Sequence, residues 1–176
     1  MISRKAGGST NRRRRRHESA AHHEAGHAVA AFVLGLKLGR RDVTIVPDKE
    51  RDMLGYANIA ARLRERPDRA TSARTKARIE AWAVAHLAGD VAERKFNGRR
   101  RLGGHSDLLQ ASDLLEYIST SVEQFDARLR VAYIGARDLI EDNWVSVQAV
   151  AEELLRKKTL SADEVAKLVL PRLLAA

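Results

Sequence analysis

The sequence predicts a mainly α-helical protein with one small β-hairpin or two-stranded sheet. Three observations lead there. Ala and Leu are abundant while aromatic residues make up only 5% of the chain, a mix that favours helices over a sandwich or barrel. Apolar residues recur at helical spacing through several long segments, each bounded by capping and turn residues. Only one short stretch alternates in the manner of a strand. A chain of 176 residues has room for one domain with a sizeable core, and is too short for two ordinary ones.

The chain opens with "MISRKAGGSTNRRRRR", which holds Arg4, Lys5 and Arg12 to Arg16 and no Asp or Glu. Seven positive charges of the net +9 therefore fall in residues 1–16, leaving +2 for the rest. Like charges in a block repel and offer no apolar face, so residues 1–18 are expected to form a disordered basic arm and residues 19–176 the domain. The arm has no apolar h-region, which excludes a secretory signal, and its Arg and Ser content weakly resembles an organellar transit peptide. Five consecutive arginines offer a contact for nucleic acid, anionic lipid or an acidic partner.

A helix is expected from about Ser19 to Leu34, with Gly35 placed to end it. In "RRDVTIVP", Val43 and Ile45 alternate with Thr44 and Val46 until Pro47 stops the strand, and "LGYANIA" is its expected partner. Pro67 and Thr71 precede a helical pattern over Ser72 to Phe96, with Ile79, Trp82, Ala83, Leu87, Val91 and Ala92 on one face. The turn-rich "NGRRRLGG" ends it. A further helix starts near Asp107 and runs past Ile118, another fills Val122 to about Glu141, and "WVSVQAVAEELLRKK" continues helically after Asn143. Ser161 and Glu164 form a capping box for a last short helix ending before Pro171.

Composition narrows the chemistry. Without cysteine there is no disulfide frame and no thiolate metal site, so a transition metal must be held by His, Asp or Glu. A reducing, cytoplasmic setting fits that usage. The longest apolar run, Ala28 to Leu36, is far below the roughly 18 residues of a spanning helix, so no membrane span is expected.

The stretch "HHEAGHAVA" then stands out, with three imidazoles and a carboxylate in six residues. Helix residues are about 100° apart, so His23 and His27 lie about 40° from each other, one turn along, and can face one metal ion. His22 and His27 lie about 140° apart, which removes His22 as a ligand. Glu24 falls beside the metal-facing line, where a general base belongs. Zinc held by neutral imidazoles lowers the pKa of water toward about 7, and a neighbouring carboxylate can take the proton as that water attacks a peptide carbonyl. A third ligand is needed. Metzincin spacing would require Gly at position 30 and His at position 33, where this chain has Ala30 and Val33. Glu93 and Asp90 on the long helix, and His105 or Asp107 in the glycine-rich turn, remain candidates, and spacing alone does not choose among them.

In order along the chain, "HHEAGHAVA", "VTIVP", "LGYANI", "LAGDVAERKFNG" and "LGGHSDLLQASDL" resemble the successive motifs of the protease domain of the FtsH-type ATP-dependent zinc metalloproteases. "AYIGARDLIEDNW" and "VAEELLRKKTLSADEV" resemble that family's C-terminal helices, so the likeness covers roughly residues 20 to 170. It implies a helical, zincin-like metallopeptidase domain with Zn2+ held by His23, His27 and Asp107, and Glu24 as base. It also implies Glu93 as a residue orienting a ligand through a hydrogen bond. His105 and Ser106 replace the family's usual Ser and Asn, which makes His105 a substitute ligand or substrate contact. Asp90 stands where the family has Arg, and Ala88 where it has the first Gly of a pair. "VTIVP" would lie at the cleft rim and could pair with an extended peptide. His86 is read as a core or interface histidine.

No Gly-x-x-x-x-Gly-Lys-Ser/Thr loop occurs in the sequence. The expected function is therefore that of a soluble zinc endopeptidase acting on flexible or unfolded polypeptides, as a monomer or small oligomer, with or without a separate ATPase or adaptor partner. The rival expectation is a non-catalytic binding protein of protease fold that uses Arg12 to Arg16 to contact nucleic acid or an acidic partner. A structural helical assembly module is the third.

Overall fold

The computed structural model describes residues 6–38, 43–47, 57, 72–98 and 105–173. Six helices and two short strands are found among them: α1 (Ala6–Val33), β1 (Val43–Thr44), α2 (Ala73–Asn97), α3 (His105–Tyr117), α4 (Val122–Asp142), α5 (Trp144–Lys157), β2 (Thr159–Leu160) and α6 (Ala162–Leu173). The chain is mainly helical with one small sheet, as its composition predicts.

The helices stop where the sequence supplies stop chemistry. After α1, Gly35 adopts a left-handed φ of 64°. The N–H of Leu36 bonds to Ala31 O at 2.8 Å and that of Gly35 to Phe32 O at 3.1 Å, closing a Schellman motif that a residue with a Cβ would strain. Ser72 caps α2 by accepting from Thr75 N, and Gly98 ends it. Ser121 caps α4 through Gln124 N. The predicted capping box opens α6: Ser161 N donates to Glu164 Oε2 at 2.9 Å while Glu164 N donates to Ser161 Oγ at 3.2 Å.

Three expectations change. Helical geometry in α1 begins at Ala6 and so takes in Arg12 to Arg16. Arginine is a good helix former, and extending an existing helix adds one hydrogen bond per residue without a new nucleus. Arg14 also pairs with Glu18 one turn on, at 2.9 Å. Burial is a different matter: the residues described between 11 and 17 are exposed, and the core begins at Ser19. The second is a strand, β2, that no stretch of the sequence announced. β1 pairs antiparallel with β2, Val43 opposite Leu160 and Thr44 opposite Thr159. Of the expected partner "LGYANIA" only Ala57 is described; Pro67 and Thr71 also lie outside the described residues. The third is Pro171, which sits inside α6 rather than after it. The carbonyl that loses its donor belongs to exposed Lys167 and can face water, so the usual cost of an internal proline is reduced in this last turn.

The buried half of α1 lies against α2 and α5, and α2 in turn packs on α3 and α4. Its contact with α2 is made by the smallest side chains: a Cβ on Gly26 would stand 2.6 Å from Ala88 O and 2.7 Å from Ala92 Cβ. The predicted face of α2 is buried in full, from Ile79 and Trp82 to Val91 and Ala92. Val147, Val150 and Leu154 of α5 and Val165 and Val169 of α6 complete the core. Among the described residues no helix is long and apolar enough to cross a membrane.

Candidate metal centre

The buried half of α1 carries His23 and His27 one turn apart on the side facing α2 and α3. Asp107 comes from the first turn of α3. There the unpaired N–H groups at the helix start favour a carboxylate. Three ligand atoms meet: His23 Nε2 lies 3.0 Å from His27 Nε2 and 3.0 Å from Asp107 Oδ2, and His27 Nε2 lies 3.5 Å from the same oxygen. A tetrahedral ion with bonds of about 2.0–2.1 Å spaces its ligands about 3.3 Å apart, so the triangle has the size that zinc requires. Three protein ligands leave a fourth position open. His23 and Asp107 each keep over a tenth of their side-chain surface exposed, so the triangle is accessible from one side. His23, His27 and Asp107 form the group that could hold a metal ion among the described residues.

The ring of His27 is fixed from behind. Its Nδ1–H donates to the backbone carbonyl of Ala85 at 2.8 Å, which leaves Nε2 with its lone pair toward the triangle. The ring lies flat against α2 where Gly89 has no side chain; a Cβ there would overlap its Nε2 and stand 2.5 Å from Cε1. Gly89 thus makes the cradle for one imidazole, and Gly26 allows the helix approach that seats it.

His23 is held differently. Its Nδ1 is buried without a hydrogen-bond partner among the described residues, and Glu93 Oε2 stands 3.5 Å away. Glu93, itself buried, accepts a hydrogen bond from the Ser19 hydroxyl.

Electrostatics follow from the crowding. Burial works against charging His23, but the carboxylates of Asp107 and Glu93 outweigh it and raise its pKa well above the ordinary histidine value. Burial likewise opposes charge on His27, and Asp107 reverses it. Asp107 is held far below the usual carboxylate range, because the two imidazoles overcome the penalty of burial. The 3.0 Å gap between the two Nε2 atoms holds one proton, not two. A site that draws a positive charge to this spot suits a dication equally. Glu24, 6% exposed, is shifted upward by burial, partly offset by His23 and His27 and by a hydrogen bond from the Ala57 backbone.

The remaining candidates sort themselves. Asp90 is buried and bonded to Arg94 at 3.0 Å, away from the triangle. His22 stacks on Phe96 with ring centres 3.8 Å apart and bonds through Nδ1 to Glu18 O, the non-ligand role its angle implies. His86 lies 6.5 Å from the His27 ring, centre to centre, and burial lowers its pKa to about 4. His105 opens α3, and its side chain lies outside the described ones. Sequence reasoning missed Ser19, Ala85, Gly89 and Asn97. Ser19 stands one turn before His23, and Gly89 and Asn97 one turn either side of Glu93, and that spacing was the available signal.

A helical domain with a His-Glu-x-x-His helix and an acid from a separate element is the architecture of a metallopeptidase. The family model for peptidase family M41 matches residues 10–127, well over half of the chain. The protein belongs to that family, the FtsH-type metalloproteases, which are in general zinc-dependent. No curated protein matches the chain significantly.

Proposed function

We propose that the protein is a zinc endopeptidase that hydrolyses peptide bonds in flexible or unfolded polypeptides, with His23, His27 and Asp107 as ligands and Glu24 as general base. The observation that carries the reading is the triangle of 3.0, 3.0 and 3.5 Å among three ligand atoms from two helices. Zinc bound there supplies Lewis acidity toward water and toward the carbonyl oxygen of the peptide. Glu24 is on the same helix turn, and burial makes its carboxylate a stronger base than one in water. Its carboxylate takes the proton of the attacking water and returns it to the leaving amide nitrogen. The Ala85 carbonyl keeps the His27 ring in the tautomer that leaves Nε2 free to bind. In this reading residues 19–176 form the peptidase domain and residues 1–18 are an appended arm, and substrate reaches the site with or without a separate ATPase or adaptor.

The test is hydrolysis of casein or an unstructured peptide by zinc-loaded protein. Glu24→Gln is expected to lower the rate by about 10²–10⁴-fold while zinc stays bound. Undiminished activity in that variant contradicts the mechanism.

A second reading draws on the arm, where Arg12, Arg14, Arg15 and Arg16 are exposed on one helix. It makes the protein a binding module for nucleic acid or an acidic partner. Deleting residues 1–16 would then abolish a steeply salt-dependent association and leave any peptidase activity unchanged.

A further inference from the structure

We propose that Ser19 and Asn97 are positioning residues of the metal centre, acting through Glu93 on the imidazole of His23. The inference rests on the reading of His23 as a ligand. Four side chains form a chain across the α1–α2 contact. Asn97 Nδ2 donates to Ser19 Oγ at 2.7 Å, the Ser19 hydroxyl donates to Glu93 Oε1, and Glu93 Oε2 faces His23 Nδ1 at 3.5 Å. Ser19 and His23 are one turn apart on α1, as Glu93 and Asn97 are on α2, so the chain crosses between the helices three times.

The direction of each bond is set by chemistry. A serine hydroxyl has one proton, and here it goes to a carboxylate on another helix rather than to its own helix's carbonyl one turn back. The amide of Asn97 occupies a lone pair of the same oxygen, which fixes the rotor. Ser19 is 1% exposed and Glu93 4%, so water does not readily replace either partner.

The two ligand histidines differ in a way that makes this chain matter. His27 is oriented by a backbone carbonyl, which no substitution removes. Among the described residues His23 is backed by the Glu93 carboxylate alone, and its Nδ1 has no other partner there. Where that carboxylate sits decides whether Nδ1–H has an acceptor, and so whether Nε2 presents its lone pair to the ion. The tether that places the carboxylate is Ser19 with Asn97.

The test measures zinc affinity by competition with a chromogenic chelator, the visible absorption of the cobalt(II)-loaded protein, and melting of the metal-free protein. Ser19→Ala and Asn97→Ala are each expected to weaken zinc binding about tenfold or more and to shift the cobalt bands. Ser19→Thr, which keeps the hydroxyl, retains wild-type affinity. In a Glu93→Gln background Ser19→Ala adds no further loss, because its effect passes through the residue already changed. A residue that merely ties two helices would lower the melting temperature and leave zinc affinity and cobalt spectrum unchanged, and that result overturns the inference. Should Ser19→Ala fail to fold, Asn97→Ala at the exposed end of α2 decides by the same readouts. Failure of the unsubstituted protein to take up zinc removes the metal reading itself, a result separable from either variant's behaviour.

Discussion

At the scale of single residues, the proposed metal centre depends as much on missing atoms as on the side chains that would bind the ion. The ring of His27 occupies the space that a side chain at position 89 would fill, and Gly26 occupies the point where α1 meets the backbone of α2. Gly89→Ala is expected to cost about 1–3 kcal/mol through overpacking and to abolish zinc binding, measured by melting and by metal analysis. Asp107→Ala should weaken zinc by at least 10-fold, because it removes the charge that offsets two imidazoles around a dication. His22→Ala should leave affinity unchanged, since that ring stacks on Phe96 and bonds to the Glu18 carbonyl. His23, Glu24 and His27 were legible from a four-residue helical spacing, which fixes angular position whatever the surroundings. Gly89 was marked only by its one-turn spacing from Glu93, because a glycine inside a helix does not say what lies against it until the second helix is docked.

Secondary-structure elements followed local chemistry with few surprises. Caps were readable because a serine that accepts from an N–H three residues on needs no tertiary help. Replacing Ser161 by Ala is expected to destabilise the protein by about 1 kcal/mol, seen as a lowered denaturant midpoint. The sheet was less legible. Thr159 and Leu160 fall between the helical "LLRKK" and the capping box at Ser161, with nothing in their two residues to announce a strand; Lys158 takes a left-handed φ of 71°, ends α5, and releases them to pair with Val43 and Thr44. Such a short ladder is stabilised by burying Val43 and Leu160, a contact that spans most of the chain. The arm divides propensity from packing: residues 6–17 are helical, but those described from 11 to 17 cover no core. Their amides are expected to exchange with deuterium orders of magnitude faster than those of residues 21–31, where Ala21 to Ala31 are packed.

For the molecule as a whole, the proposed ion joins the second half of α1 to the start of α3, two elements otherwise linked through α2. Binding to the folded state alone stabilises it by mass action, about 4 kcal/mol at a thousandfold excess over Kd. Zinc is therefore expected to raise the melting temperature by several degrees and a chelator to reverse the gain, with a smaller shift in Asp107→Ala, reduced by about 1.4 kcal/mol for each tenfold loss of affinity. A melting curve indifferent to zinc in the unsubstituted protein would sink the proposed ligand set.

The sequence by itself determined the helical class, nearly every helix boundary, the core face of α2, and the pairing of His23 with His27, since all of these depend on periodicity and on capping within a few residues. It also carried the family likeness, which pointed to Asp107 where spacing left four candidates open. Tertiary structure alone decided that Asp107 reaches the two imidazoles while Asp90 turns to Arg94, that Glu93 is tethered by Ser19, and that Gly89 receives a ring. Those facts depend on how α1, α2 and α3 cross, and a crossing is fixed by the packing of small side chains on both helices at once, which no single segment encodes.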